Sequence, residues 1–224
     1  RDHPAPGDSE TQWSRLAARY LRKEFALTKE VKRATVHIAG MGLYELFING
    51  QRIGEQVLAP APTDYRKTIL YNTYDVTPQL QKENAIGVIL GNGRFYTMRQ
   101  NYKPYKIPTF GYPKLRLNLI VEYTDGSRQT IASDISWKLT TEGPIRSNNE
   151  YDGEEYDARK ELGDWNRTGY DDTNWIPAGR VSIPSGTLRA QMMPGMKVTE
   201  SLKPVSFRKQ GDKQILDIGQ NMAG

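Results

Sequence analysis

The sequence predicts an all-β fold: a jelly-roll-like antiparallel β-sandwich followed by the truncated start of a second β domain. Three observations carry this. Short segments rich in Val, Ile, Tyr and Phe alternate apolar with polar or run apolar throughout, as strands do. Gly, Pro, Asn and Asp bound them at regular spacing, which is how hairpin-rich sandwiches are punctuated. No stretch of ten or more residues keeps a 3.6-residue apolar repeat, so amphipathic helices are not expected.

Taken in order, Tyr20 to Leu27 alternates as a first strand, and Val31 to Ala39 is a second with Val36 and Ile38 on one face. Leu43 to Ile48 follows, and Asn49-Gly50 predicts a type I′ hairpin into Gln51 to Gly54, because both central positions need positive φ. Thr68 to Val76 is the next strand, and Thr77 to Leu80 a turn or short helical segment. Asn84 to Leu90 is apolar throughout, the pattern of a strand covered on both faces. Leu115, Leu117, Leu119 and Val121 line one face of a strand over 115–123, and Asp125-Gly126 turns it into a strand over 128–132. Trp137 to Thr140 is a further short strand.

Residues 1–19 form an N-terminal extension anchored only by Trp13. The sandwich is expected over 20–176. Pro177, Gly179, Pro184, Gly186, Pro194 and Gly195 mark 177–196 as a surface connector. Strands over Lys197 to Phe207 and Gln214 to Ile218 then open a unit within 197–224. Two strands do not make a stable sheet alone, so the chain is expected to be part of a longer one. No internal repeat or low-complexity tract is present.

Composition removes several classes of function. Charged residues are 25%, hydrophobic residues 37% and mean hydropathy −0.69, values of a folded, polar chain rather than a disordered one. No apolar run nears the ~20 residues of a membrane span. With no cysteine, disulfides, thiolate metal sites and thiol catalysis are excluded. The net charge of +5 is spread among acids, as in Lys29-Glu30-Val31-Lys32-Arg33, and lacks the one-sided clustering of a nucleic-acid binder. Of the two histidines, His3 lies in the extension and His37 within a strand, so no Ser-His-Asp arrangement assembles.

Two segments could carry chemistry. Asn148 to Arg159 concentrates Glu150, Asp152, Glu154, Glu155 and Asp157. Such oxygen ligands suit calcium, and paired carboxylates suit glycoside hydrolysis. The simpler reading of the same residues is a polar loop in which Asp and Glu pair with Arg159 and cap backbone N–H groups. The second segment, Gly91 to Pro113, holds Phe95, Tyr96, Tyr102, Tyr105, Phe110 and Tyr112 with Arg94, Arg99, Lys103 and Lys106. A loop of this length is often functional. Its rings could stack on a ligand or fill gaps beneath the loop.

Six phrases, in order, resemble the N-terminal region of bacterial α-L-rhamnosidases. They are Tyr20 to Phe25, Gly42 to Gly50, Val57 to Pro60 with Thr63 to Lys67, Tyr74 to Thr77, Tyr151 to Glu154 with Tyr156 to Arg159, and Asp217 to Gly224. The resemblance implies β-sandwich domains in front of an (α/α)6 barrel that hydrolyses terminal α-L-rhamnose with inversion. It implies that this segment is a non-catalytic accessory domain, inactive alone, of a periplasmic or secreted glycoside hydrolase. Rhamnose-containing glycans and the downstream catalytic domain are its implied partners; nucleic acid is not. Some relatives bind L-rhamnose with calcium on a front sandwich. Carried to this chain, that implies sugar contacts at Asp64, Tyr65, Asn92, Arg94, Tyr96 and Tyr102, and calcium ligands at Asp64, Asp152 and Glu154. The alternative is a scaffold that packs on the barrel with no ligand of its own. The chain departs from the family pattern at Ala61-Pro62 and at Arg94-Phe95, each lacking an expected tryptophan.

Overall fold

The computed structural model describes residues 16–96, 110–149, 153–182 and 184–221. In chain order the strands are β1 (Arg19–Ala26), β2 (Val31–Met41), β3 (Leu43–Ile48), β4 (Gln51–Arg52), β5 (Thr68–Asp75), β6 (Glu83–Gly91), β7 (Lys114–Tyr123) and β8 (Arg128–Ala132). They continue with β9 (Lys138–Thr140), β10 (Ile145–Asn149), β11 (Gly153–Tyr156), β12 (Ile176–Pro177), β13 (Thr187–Ala190), β14 (Ser206–Gln210) and β15 (Lys213–Asp217). The only helical turns among the described residues are short 3-10 segments at Thr77–Gln79 and Ala158–Lys160. No helix among them is long and apolar enough to cross a membrane.

Two sheets face each other. One runs β12-β9-β1-β6-β3-β4 and the other β13-β5-β2-β7-β8. Pairing is antiparallel except between β13 and β5. The central strands are those with the strongest apolar patterns, because a strand flanked on both sides and covered on both faces meets no water. From the second sheet, Val36, Ile38, Leu117, Leu119 and Val121 enter the core; from the first come Leu46, Ile48, Ile86, Val88 and Leu90, with Trp137 beside them. The Asn49-Gly50 turn has φ of 53° and 82°, the positive pair a type I′ hairpin requires.

Both sheets are also covered on the outside. Tyr20, Trp165 and Trp175 pack over the first sheet. There Gly87 makes the close approach possible, since a Cβ on it would lie 2.7 Å from the Trp165 ring. Trp165 meets Tyr20 edge-on and stacks on Trp175. Arg22, on β1, fastens this layer: its Nε donates to the Trp165 carbonyl at 2.9 Å and its Nη2 to the Arg167 carbonyl at 2.9 Å. The same guanidinium pairs with Asp172 and Glu24. On the second sheet Ala39, Met41 and Ile69 pack with Tyr65 and Phe95.

Three segments differ from the sequence expectation. The acidic stretch contains a ribbon, β10 against β11, whose second strand is wholly exposed and so lacks an apolar signature. The expected connector is joined to the sandwich: Ala178 N–H donates to the Trp137 carbonyl, Thr187 N–H to Lys67 and Gln191 N–H to Tyr71. It crosses as a strap from β12 on one sheet to β13 on the other. The strand expected over 197–207 occupies only Ser206–Gln210, forming a ribbon with β15.

Candidate functional site

The described residues of the expected sugar loop lie mainly in the interior. Tyr65 is 3% exposed. Its ring sits edge-on between Phe95, at 5.0 Å, and Phe110, at 5.2 Å. Tyr96 is buried, stacked on Tyr112 at 5.8 Å and packed with Leu16. Asn92 is buried and ties the end of β6 to β10. Its amide N–H donates to Asn148 Oδ1 at 2.7 Å, and its Nδ2 donates to the carbonyls of Asn148 and Leu16. These three side chains present no open face to a sugar, because the two rings pack against other aromatics and the amide is spent on Asn148 and Leu16. Arg94 is half-buried. Tyr102 and Asp152 lie outside the described residues.

Asp64 is accessible but engaged. Arg66 donates to it through a two-pronged fork, Nε to Oδ1 at 2.9 Å and Nη2 to Oδ2 at 3.1 Å, and the Arg66 N–H adds a third bond. These bonds hold the Asp64 carboxyl below its usual range. Glu154 stands exposed on β11, opposite Asn148. Calcium wants several carboxylate and carbonyl oxygens converging on one point. Among the described residues no three His, Asp or Glu side chains converge in that way, and both oxygens of Asp64 already face a guanidinium. The third expected ligand, Asp152, lies outside the described residues.

Two features escape a reading of the sequence. The first is a cavity of about 710 Å³ beneath the strap, bounded by β1, β7 and β9 and by described residues of 176–182 and 184–188. Its charged lining is Arg19, Lys114, Arg116, Arg180 and Asp134. The second is a run of exposed apolar side chains: Met192, Met193, Met196, Val198, Leu202, Val205 and Phe207, with Leu216 across the ribbon. Phe207 and Leu216 are directly opposed in register. An unusual density of methionine over 192–196 was the available signal for the second feature. The first had none, since its cations come from segments far apart in the chain.

The chain matches the α-L-rhamnosidase N-terminal domain family over residues 29–200. It belongs to that family. An α-L-rhamnosidase of Formosa agariphila is 43% identical to this N-terminal domain over 215 residues, which cover 93% of the chain and 22% of that protein. One from Streptomyces avermitilis is 38% identical over 230 residues, covering 95% and 21%. The α-L-rhamnosidase structure from Dictyoglumus thermophilum superposes with a TM-score of 0.84 at 43% identity, over 93% of this chain and 23% of that one. The Aspergillus terreus enzyme superposes at 0.86 and 36% identity, over 97% and 25%. The rhamnosidase N-terminal domain thus spans about a fifth to a quarter of the length of the relatives it matches.

Proposed function

We propose that this chain is an accessory domain of an α-L-rhamnosidase and that it works by packing against the rest of that enzyme, not by chemistry of its own. The exposed apolar run from Met192 to Phe207 is the observation that supports this most. Met192 is 91% and Phe207 61% exposed. A soluble surface rarely gathers large apolar side chains in one place unless another surface covers them. The relatives extend well beyond the matched region; that remainder would supply such a surface, and the parent enzyme would carry the rhamnose-releasing carboxylates there. A secreted or periplasmic parent fits an enzyme that trims glycans.

Hydrogen exchange tests the packing. Amides of 192–217 are expected to exchange slowly in the full-length parent and fast in this chain alone. Equal exchange in the two would remove the docking role.

Carbohydrate contact is the second reading. A related Streptomyces avermitilis α-L-rhamnosidase has been crystallised with L-rhamnose, which makes that sugar the first probe to titrate. For this chain the observation favouring sugar contact is the cavity under the strap, rather than the loop around Asp64.

A further inference from the structure

We propose that the cavity beneath the strap binds the anionic group of an acidic saccharide, a uronate or sulfate-bearing unit. Its volume of about 710 Å³ lies within the ~300–1,000 Å³ typical of small-molecule sites. Its described lining carries Arg19, Lys114, Arg116 and Arg180 and one carboxylate; Arg19 and Lys114 have partners of their own, which leaves Arg116 and Arg180 for a ligand. That carboxylate, Asp134, is already committed. Its Oδ1 accepts from the backbone N–H and hydroxyl of Ser136 and lies 3.6 Å from Lys23 Nζ.

The cations are arranged from depth to mouth. Arg19 and Lys114 are buried, and Lys114 Nζ donates to Ser182 Oγ on the strap at 3.4 Å. Arg116 and Arg180 are exposed. Neither forms an ion pair or a side-chain hydrogen bond among the described residues. These two guanidiniums, without partners among the described residues, are the groups that would take an anion at the cleft. A planar guanidinium matches carboxylate and sulfate oxygens with parallel N–H donors. Apolar side chains such as Leu139 and Ile176 line the remaining wall, the surface that a sugar's C–H face requires. The anion half of the inference stands on the cavity; the saccharide half rests on the rhamnosidase reading.

Calorimetric titration of the whole chain with D-glucuronate, D-glucose and acetate tests it. D-Glucuronate is expected to saturate with at least tenfold higher affinity than D-glucose, weakening as salt is raised. Arg116→Gln and Arg180→Gln, both at exposed positions, are each expected to lower that affinity about threefold. Lys114→Met is expected to lower it further; because this position is buried, the two surface variants carry the decision if it does not fold. Equal binding of glucuronate and glucose, or no effect of either surface variant, overturns the site. Acetate binding as tightly as glucuronate overturns its saccharide half. Neither result bears on docking, which the hydrogen-exchange comparison reads separately.

Discussion

Replacing Arg22 with Met should destabilise the fold by about 3 kcal/mol, for reasons that can be followed bond by bond. The guanidinium is 2% exposed and anchors the tryptophan layer to β1. It donates to two backbone carbonyls, Trp165 and Arg167, at 2.9 Å each. Hydrogen bonds involving a charged group contribute roughly 1.5–3 kcal/mol each when lost. Its carboxylate partners are partly hydrated, with Asp172 25% and Glu24 41% exposed, so each pair adds only about 0.2–1 kcal/mol. The bond to the Arg167 carbonyl is only partly buried, so water recovers part of its loss, and the methionine stem keeps much of the packing. These offsets bring the net to about 3 kcal/mol. For a chain of this length, that corresponds to a fall in melting temperature of roughly 6–12 °C.

Urea unfolding followed by tryptophan fluorescence measures the loss, with an unchanged m-value as the check that only stability moved. Arg159→Met is the matched control. Arg159 holds Asp157 in a similar fork, with bonds of 2.8 Å, yet is 89% exposed. Its loss should leave the midpoint unmoved. A change below about 1 kcal/mol for Arg22→Met, or equal losses for the two arginines, would refute the reasoning that burial makes the difference.

Gly87→Val should cost about 1–3 kcal/mol by overpacking, because the new side chain meets the Trp165 ring and Asn166; a red-shifted tryptophan emission with a lower urea midpoint is the expected readout. Acid should destabilise the fold in a definite window. The carboxyls of Asp75, Asp134 and Asp171 are held below their usual range by bonds from Thr77, Ser136 and Thr173. Since an unfolded Asp titrates near ~3.9, their contribution is complete above that pH and is lost as pH falls below it. Melting temperatures measured from pH 7 to pH 2 should hold steady down to about pH 5 and then drop; a rise on acidification would contradict the assignment.

The sandwich was legible where burial imposes a pattern. β7 alternates because one face enters the core and the other does not. β6 runs apolar because Trp165 covers its outer face and the core its inner one. The Asn49-Gly50 turn was legible because few residue pairs accept two positive φ angles. β11 and β13 were not legible, being exposed along their whole length, so nothing in their side chains separates strand from loop. The sequence places a strand over 197–207 on the strength of apolar residues such as Val198 and Leu202, yet these are exposed and their pattern reflects a surface. The candidate site shows the reverse confusion. Tyr65 and Tyr96 read as sugar-stacking rings but fill the interior, because an aromatic near a loop has the same composition whether it points out or in. Arg116 and Arg180 lie 64 positions apart, and only the strap brings their segments to one cavity.

This chain is proposed above to be an accessory part of a rhamnose-releasing enzyme. The most direct test is release of nitrophenol from 4-nitrophenyl α-L-rhamnopyranoside by the chain alone and by the full-length parent at equal concentration. The account predicts steady turnover by the parent and none by the chain. Turnover by the chain alone, or a parent inert toward the rhamnoside, would contradict it.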